Sequence, residues 1–213
     1  MTQPISGYKM ATPTFKNLGT ENYPLDKFTV QGATDSMTTC QVLDSEGKNS
    51  GTYYWYNEFN DPEQGLLPAG WFDVSGLVPA GIELKPGEAV FFNTTESGVT
   101  IQSCGQVPGE ITNGVAGYKM LGNGSPVKIA IDNFTVQGAT DSMTTCQVLD
   151  EGGKNNGTYY WYNEFDDPEQ GLLPAGWFDV SGLIPAGIDL EPGDSLLFNS
   201  TETGVTATVP SAL

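Results

Sequence analysis

One segment occurs twice, and that duplication limits the folds open to this chain. Residues 52–74, TYYWYNEFNDPEQGLLPAGWFDV, return at 158–180 with a single change, Asn60 against Asp166. The same shift of 106 positions aligns 28–100 with 134–206, where 60 of 73 positions are identical. The replacements are mild (Val78/Ile184, Glu83/Asp189, Glu88/Asp194, Phe91/Leu197) and leave core-like and surface-like positions equally intact, so both copies are expected to take one fold. Gly-Tyr-Lys-Met recurs as well, at 7–10 and 117–120, displaced by 110. This sets a unit boundary ahead of that tetrapeptide, with a turn-rich joint over 107–115, VPGEITNGV. The expected organisation is a first β repeat unit over 1–110 and a second over 111–213, each long enough to bury a core of its own.

Within a unit the pattern has period two. Strands are expected at 27–33, 37–43, 52–59, 70–74, 82–84, 88–94 and 99–104, with equivalents in the second copy. Over 37–43, Thr38, Cys40 and Val42 alternate with Met37, Thr39, Gln41 and Leu43. The consecutive aromatics at 53–56 imply a strand covered on both faces. Gly or Pro interrupts every candidate helical stripe, and 27 Gly with 14 Pro suit many turns. The expected class is all-β, as two tandem, near-identical domains of β-sandwich or jelly-roll-like kind. The longer arm over 11–25 and the different ending over 207–213 are expected to swap with, or add a strand to, a neighbouring copy.

Charge narrows the partners. Twenty-six acids face eight Lys, with no Arg and no His, for a net charge of −18. Such a surface repels phosphate backbones and anionic lipid, so nucleic acid is not expected as a partner, and apolar runs of only a few residues make membrane insertion unexpected. Lack of His removes the commonest general acid/base and most zinc or copper sites. Lack of Arg removes the bidentate clamp for phosphate and carboxylate. No basic and apolar leader opens the sequence, so an extracellular, cell-surface or virion location is expected without a signal peptide in this chain.

Four sets of residues remain as candidates for chemistry. Trp55, Trp71, Trp161 and Trp177 offer faces on which sugar rings stack, against the alternative that they are core. Glu58, Asp61 and Glu63, with Glu164, Asp167 and Glu169, supply the hard oxygen ligands that Ca²⁺ takes, against the alternative of solvated turns; Asp44 and Glu46, with Asp150 and Glu151, form a second acidic loop. Cys40 and Cys104 are candidates for a disulfide that leaves Cys146 odd, against three buried free thiols. Lys9 with Asn93, and Lys119 with Asn199, are repeated pairs of the kind that an isopeptide bond joins.

None of these sets spells out a reaction. Identical units carry identical patches, from which regular assemblies are built. The expected function is therefore non-enzymatic: a structural, self-assembling subunit of a surface layer, extracellular filament or virion, whose partner is itself. The alternative is a tandem carbohydrate-binding or adhesion module, calcium-dependent if the acidic loops bind the ion, whose partner is a glycan.

Overall fold

The computed structural model describes residues 2–13, 22–107, 109–150 and 153–210. It is all-β, built from several sheets, and its only helical elements among these residues are two single 3-10 turns, Leu25–Lys27 and Ile131–Asn133.

The first half contains ten strands: β1 (Thr2–Ala11), β2 (Tyr23–Pro24), β3 (Thr29–Gln31), β4 (Thr38–Leu43), β5 (Asn49–Tyr56), β6 (Phe59–Asp61), β7 (Gly65–Leu67), β8 (Gly70–Phe72), β9 (Glu83–Leu84) and β10 (Val90–Gln102). The main sheet runs β1-β10-β4-β5-β8, and β3 pairs with the far end of β10. β1 and β10 are long enough to serve two sheets. Met10 and Lys9 face Phe91 and Phe92 beside β4, whereas Gln3 and Pro4 face Ile101 and Thr100 beside β3. The ribbon shifts register between Ile5 and Gly7, and Gly7 has φ 68°. That is the left-handed region, which glycine enters without steric cost, so the bulge turns the ribbon from one sheet to the other.

The second half repeats the scheme with β11 (Ile111–Gly114), β12 (Gly117–Gly122), β13 (Ile129–Ala130), β14 (Thr135–Gln137), β15 (Thr144–Leu149), β16 (Asn155–Tyr162), β17 (Phe165–Asp167), β18 (Gly171–Leu173), β19 (Gly176–Phe178), β20 (Asp189–Leu190), β21 (Ser195–Ser200) and β22 (Thr206–Val209). Here the two bent strands are divided at their corners, giving one sheet β12-β21-β15-β16-β19 and another β11-β22-β14. Equivalent pairs keep equivalent registers: Cys40 faces Tyr53 as Cys146 faces Tyr159, and Trp55 faces Trp71 as Trp161 faces Trp177.

The inward positions are those that alternation selects. Phe28, Cys40, Trp71, Phe92 and Val99 are inaccessible in one cluster, as are Phe134, Cys146, Trp177 and Phe198 in another. Burying each large apolar side chain is worth about 1.5–3 kcal/mol against leaving it in water. The outer face of β5 is covered separately: Tyr56, Phe59 and Phe72 form a three-ring group with centroids 5.9 to 6.3 Å apart. Both faces of the aromatic strand are thus covered, as its sequence implies.

Several boundaries differ from expectation for identifiable reasons. The strand expected over 52–59 ends at Tyr56, because the Asn57 N–H and amide both donate to Asp35 Oδ1, each at 2.8 Å. The segment after it, where no strand is expected before 70, is a hairpin of β6 and β7. Ile111–Gly114, expected within a joint, is a strand paired with β22, its Ile111 packed against the core. Thr2–Ala11, carrying only one short repeated motif, is a ten-residue strand paired with β10 along nearly its whole length. Residues 14–21 of the expected arm, 211–213 of the expected terminal arm, Pro108 of the joint and Glu151 of the second acidic loop lie outside the described residues.

Candidate functional site

The four tryptophans lie in the core. Trp55 and Trp161 are each 3% exposed and Trp71 and Trp177 fully buried. In each half the two indoles meet edge-to-face at 5.5 Å. Trp71 Nε1 donates to the Phe28 carbonyl and Trp177 Nε1 to that of Phe134, both at 2.8 Å. A sugar stacked on these rings would have to enter the core.

The acids of the hairpin are spent on turns. Asp61 Oδ1 accepts from the backbone N–H groups of Glu63 and Gln64 at 2.8 and 2.7 Å, and Asp167 does the same for Glu169 and Gln170. Glu58 and Glu164 stay exposed at the preceding bend. Among the described residues no three His, Cys, Asp or Glu side chains come together in a way that could hold a metal ion, so the expected calcium set does not converge. Asp73 and Asp179 are turn residues too. Hydrogen bonds from the Ser75 and Ser181 hydroxyls hold their carboxyls below the usual range.

The disulfide expected between Cys40 and Cys104 is not formed; all three cysteines are free. Cys40 points into the core opposite Phe92, whereas Cys104 lies beyond the end of β10 on the surface. Burial pushes the Cys40 and Cys146 thiols well above their usual range, which leaves them unreactive. Nor do Lys9 and Lys119 reach the asparagines: Lys9 Nζ pairs with Asp194 Oδ1 at 2.8 Å and Lys119 Nζ with Glu88 Oε1.

Those two ion pairs cross between the halves. At the centre of the crossing lies a small apolar cluster, Met10, Ala89, Met120 and Leu197, flanked by Leu43, Phe91, Tyr118 and Leu149. Beside it are two clefts, related to one another as the repeats are. One, of about 330 Å³, is lined by Tyr8, Lys9, Val148, Leu149, Asp150 and Asp194 among others. Its counterpart, of about 150 Å³, has Tyr118, Lys119, Val42, Leu43 and Glu88. Neither is lined by Cys, and each already neutralises its Lys with a carboxylate. The arrangement serves to fix two surfaces against each other. Sequence reasoning missed these residues as a set. The signals were present in the repeated Tyr-Lys-Met and in the acid retained at 88 and 194 through a Glu/Asp change.

One further surface is duplicated. Leu66, Val74 and Val78 are 66%, 75% and 58% exposed, and Leu172, Val180 and Ile184 are 65%, 75% and 63% exposed. They sit on the hairpin and on the turn that pack against the three-ring group, where Gly76 abuts the Tyr56 ring. Comparison with protein-family models, curated proteins and solved structures finds no match to the chain. Among the described residues no helix is long and apolar enough to cross a membrane.

Proposed function

We propose that this chain is a non-enzymatic structural, self-assembling protein, a subunit of a surface layer, extracellular filament or virion, made of two tandem β-sandwich domains of jelly-roll-like kind over 1–110 and 111–213. The observation that carries the reading is the pair of exposed aliphatic sets, Leu66, Val74 and Val78 with Leu172, Val180 and Ile184. A soluble protein gains nothing by exposing the same large apolar side chains twice, whereas a bivalent subunit needs two equivalent contact surfaces. The occupant of each surface is a further copy of the chain. A net charge of −18 makes copies repel, so contacts between them must be apolar at the centre, and their formation must strengthen as salt screens the acids.

Electron microscopy and light scattering of the purified protein test this directly. Regular filaments, sheets or closed particles are expected at high protein concentration and moderate salt. Replacing Leu66, Val78, Leu172 and Ile184 together by Glu should abolish them while the melting temperature holds. A wild-type protein that remains a monodisperse monomer at high concentration and high salt refutes the proposal.

A further inference from the structure

Five kinds of contact between the halves occur in reciprocal pairs. Lys9 pairs with Asp194, and Lys119 pairs with Glu88. Gln3 Nε2 donates to the Pro192 carbonyl at 2.6 Å, and Asn113 Nδ2 to that of Pro86 at 3.0 Å. The Thr12 N–H donates to the Gly193 carbonyl and the Gly122 N–H to that of Gly87, both at 3.0 Å. Ala11 bridges to Asp194 as Glu88 bridges to Leu121. The Tyr8 ring lies over Gly153 and the Tyr118 ring over Gly47. In every case the second contact is the first with the roles of the halves exchanged, at the offset of 110 for the leading strand and 106 elsewhere. That is the signature of an isologous, two-fold interface, normally found between identical subunits.

We propose that this face is self-complementary and exchangeable, so that the matching half of a second copy of this chain can take the place of the chain's own other half. Each half presents the same kit: a Lys and an acid at complementary positions, a side-chain amide for a Pro carbonyl, a Tyr for a Gly, and a Met at the centre. Nothing in that kit tells a half whether its partner belongs to the same chain. The covalent joint decides instead, by holding the partner at an effective concentration on the order of millimolar. The proposal concerns a different surface from the exposed aliphatic sets and stands whether or not those drive assembly.

Charge reversal in the full chain separates the two modes of pairing. With Lys9→Glu and Glu88→Lys together, each intrachain contact sets like charges face to face. The new carboxylate at position 9 meets Asp194, the new ammonium at position 88 meets Lys119, and both contacts are repulsive. First half against first half of another copy stays attractive with its charges exchanged, and second half against second half is unaltered and attractive too. The four-site variant Lys9→Glu, Glu88→Lys, Lys119→Glu and Asp194→Lys restores attraction within one chain. Light scattering should give the double variant at least about twice the monomer mass at sub-millimolar concentration, and the four-site variant the mass of the unaltered chain under the same conditions. Both should keep the circular dichroism of a folded β protein. A double variant that stays monomeric overturns the proposal, as does one that unfolds while the four-site variant folds. The unaltered chain gives a second test that carries no folding risk. Two differently tagged preparations are unfolded and refolded together at about 1 mM, comparable with the effective concentration of the joint. Species carrying both tags are expected in proportion to concentration, and their absence overturns the proposal.

Discussion

Replacing Trp71 by Phe tests whether the repeated aromatic segment is core. Truncating a buried Trp or Phe to Ala costs about 3–5 kcal/mol. Phe keeps most of the ring, so the packing part of Trp71→Phe is roughly 1 kcal/mol. The indole N–H also satisfies the Phe28 carbonyl at 2.8 Å, and withdrawing the partner of a buried polar group adds about 1–3 kcal/mol. The expected loss is therefore about 2–4 kcal/mol, larger than ring volume alone dictates. Trp177→Phe should cost the same within error, since Trp177 is equally buried and bonds Phe134 at the same distance. Urea unfolding followed by circular dichroism reads the loss, and thermal melting adds information. For a chain of this length melting as one unit, a loss of about 2–4 kcal/mol lowers Tm by about 5–15 °C, and more if a half melts alone. Stability unchanged to within about 0.5 kcal/mol, with Trp fluorescence open to acrylamide, would refute the placement of Trp71 and restore the indoles as a binding surface.

Glycine at the interface gives a second measurement. Gly47 (φ 77°) and Gly98 (φ 76°) are both left-handed, but a Cβ on Gly47 would lie 2.8 Å from the Tyr118 ring whereas one on Gly98 meets nothing within 4 Å. Gly98→Ala should cost only backbone strain, roughly 1–2 kcal/mol, and Gly47→Ala about 1–3 kcal/mol more by overpacking; equal denaturation midpoints would remove Tyr118 from the interface. Alkaline pH probes Tyr23, whose hydroxyl burial pushes up to about 12 from 10.0. A folded pKa above the unfolded one means stability is complete below pH 10 and falls as pH rises towards 12, by about 2–3 kcal/mol. Tyr23→Phe should flatten that decline, and the second half, with Ile129 at this position, should not contribute to it. Thiol titration under native conditions should label Cys104 promptly and Cys40 and Cys146 only on unfolding; rapid labelling of all three would contradict their burial.

The fold was legible where side chains alternate and opaque where backbone geometry decides. Thr38, Cys40 and Val42, and Phe28 with Val30, point inward as the period-two pattern requires. The end of β5 was not legible, because it depends on Asp35 capturing the Asn57 N–H across 22 residues of chain. β1 was hidden for a different reason. Its Thr-Gln-Pro-Ile-Ser-Gly start has no run of β-branched residues, and its pairing comes from β10, far along the chain. The candidate chemistry fared worst for a physical reason. Tryptophan next to acid reads as a sugar platform in sequence, but the indoles turn into the core while the acids stay at the bend and turn beyond the strand. The acids joined backbone N–H groups in their own turns, which short Asp side chains do wherever a turn needs an acceptor.

The closed interface also constrains how any assembly could grow. The expectation of strand exchange through terminal arms treats a sheet edge as the sticky element. In the main sheet of each half one edge is β8 or β19, only three residues long, whose Phe72 or Phe178 is bridged to a proline, Pro79 or Pro185. Proline has no N–H to offer a neighbour, so that edge is blunted. At the other edge, β1 and β12 lie against the opposite half. An isologous contact, once closed, has no remaining copy of itself to offer and cannot propagate. Growth is therefore left to side-chain surfaces, and the aliphatic sets on the two hairpin-bearing ends are duplicated apolar surfaces that stay exposed. Joining through them would add no backbone ladder and leave β content unchanged. An assembly that grew by strand addition would instead require the pairing between the halves to open first.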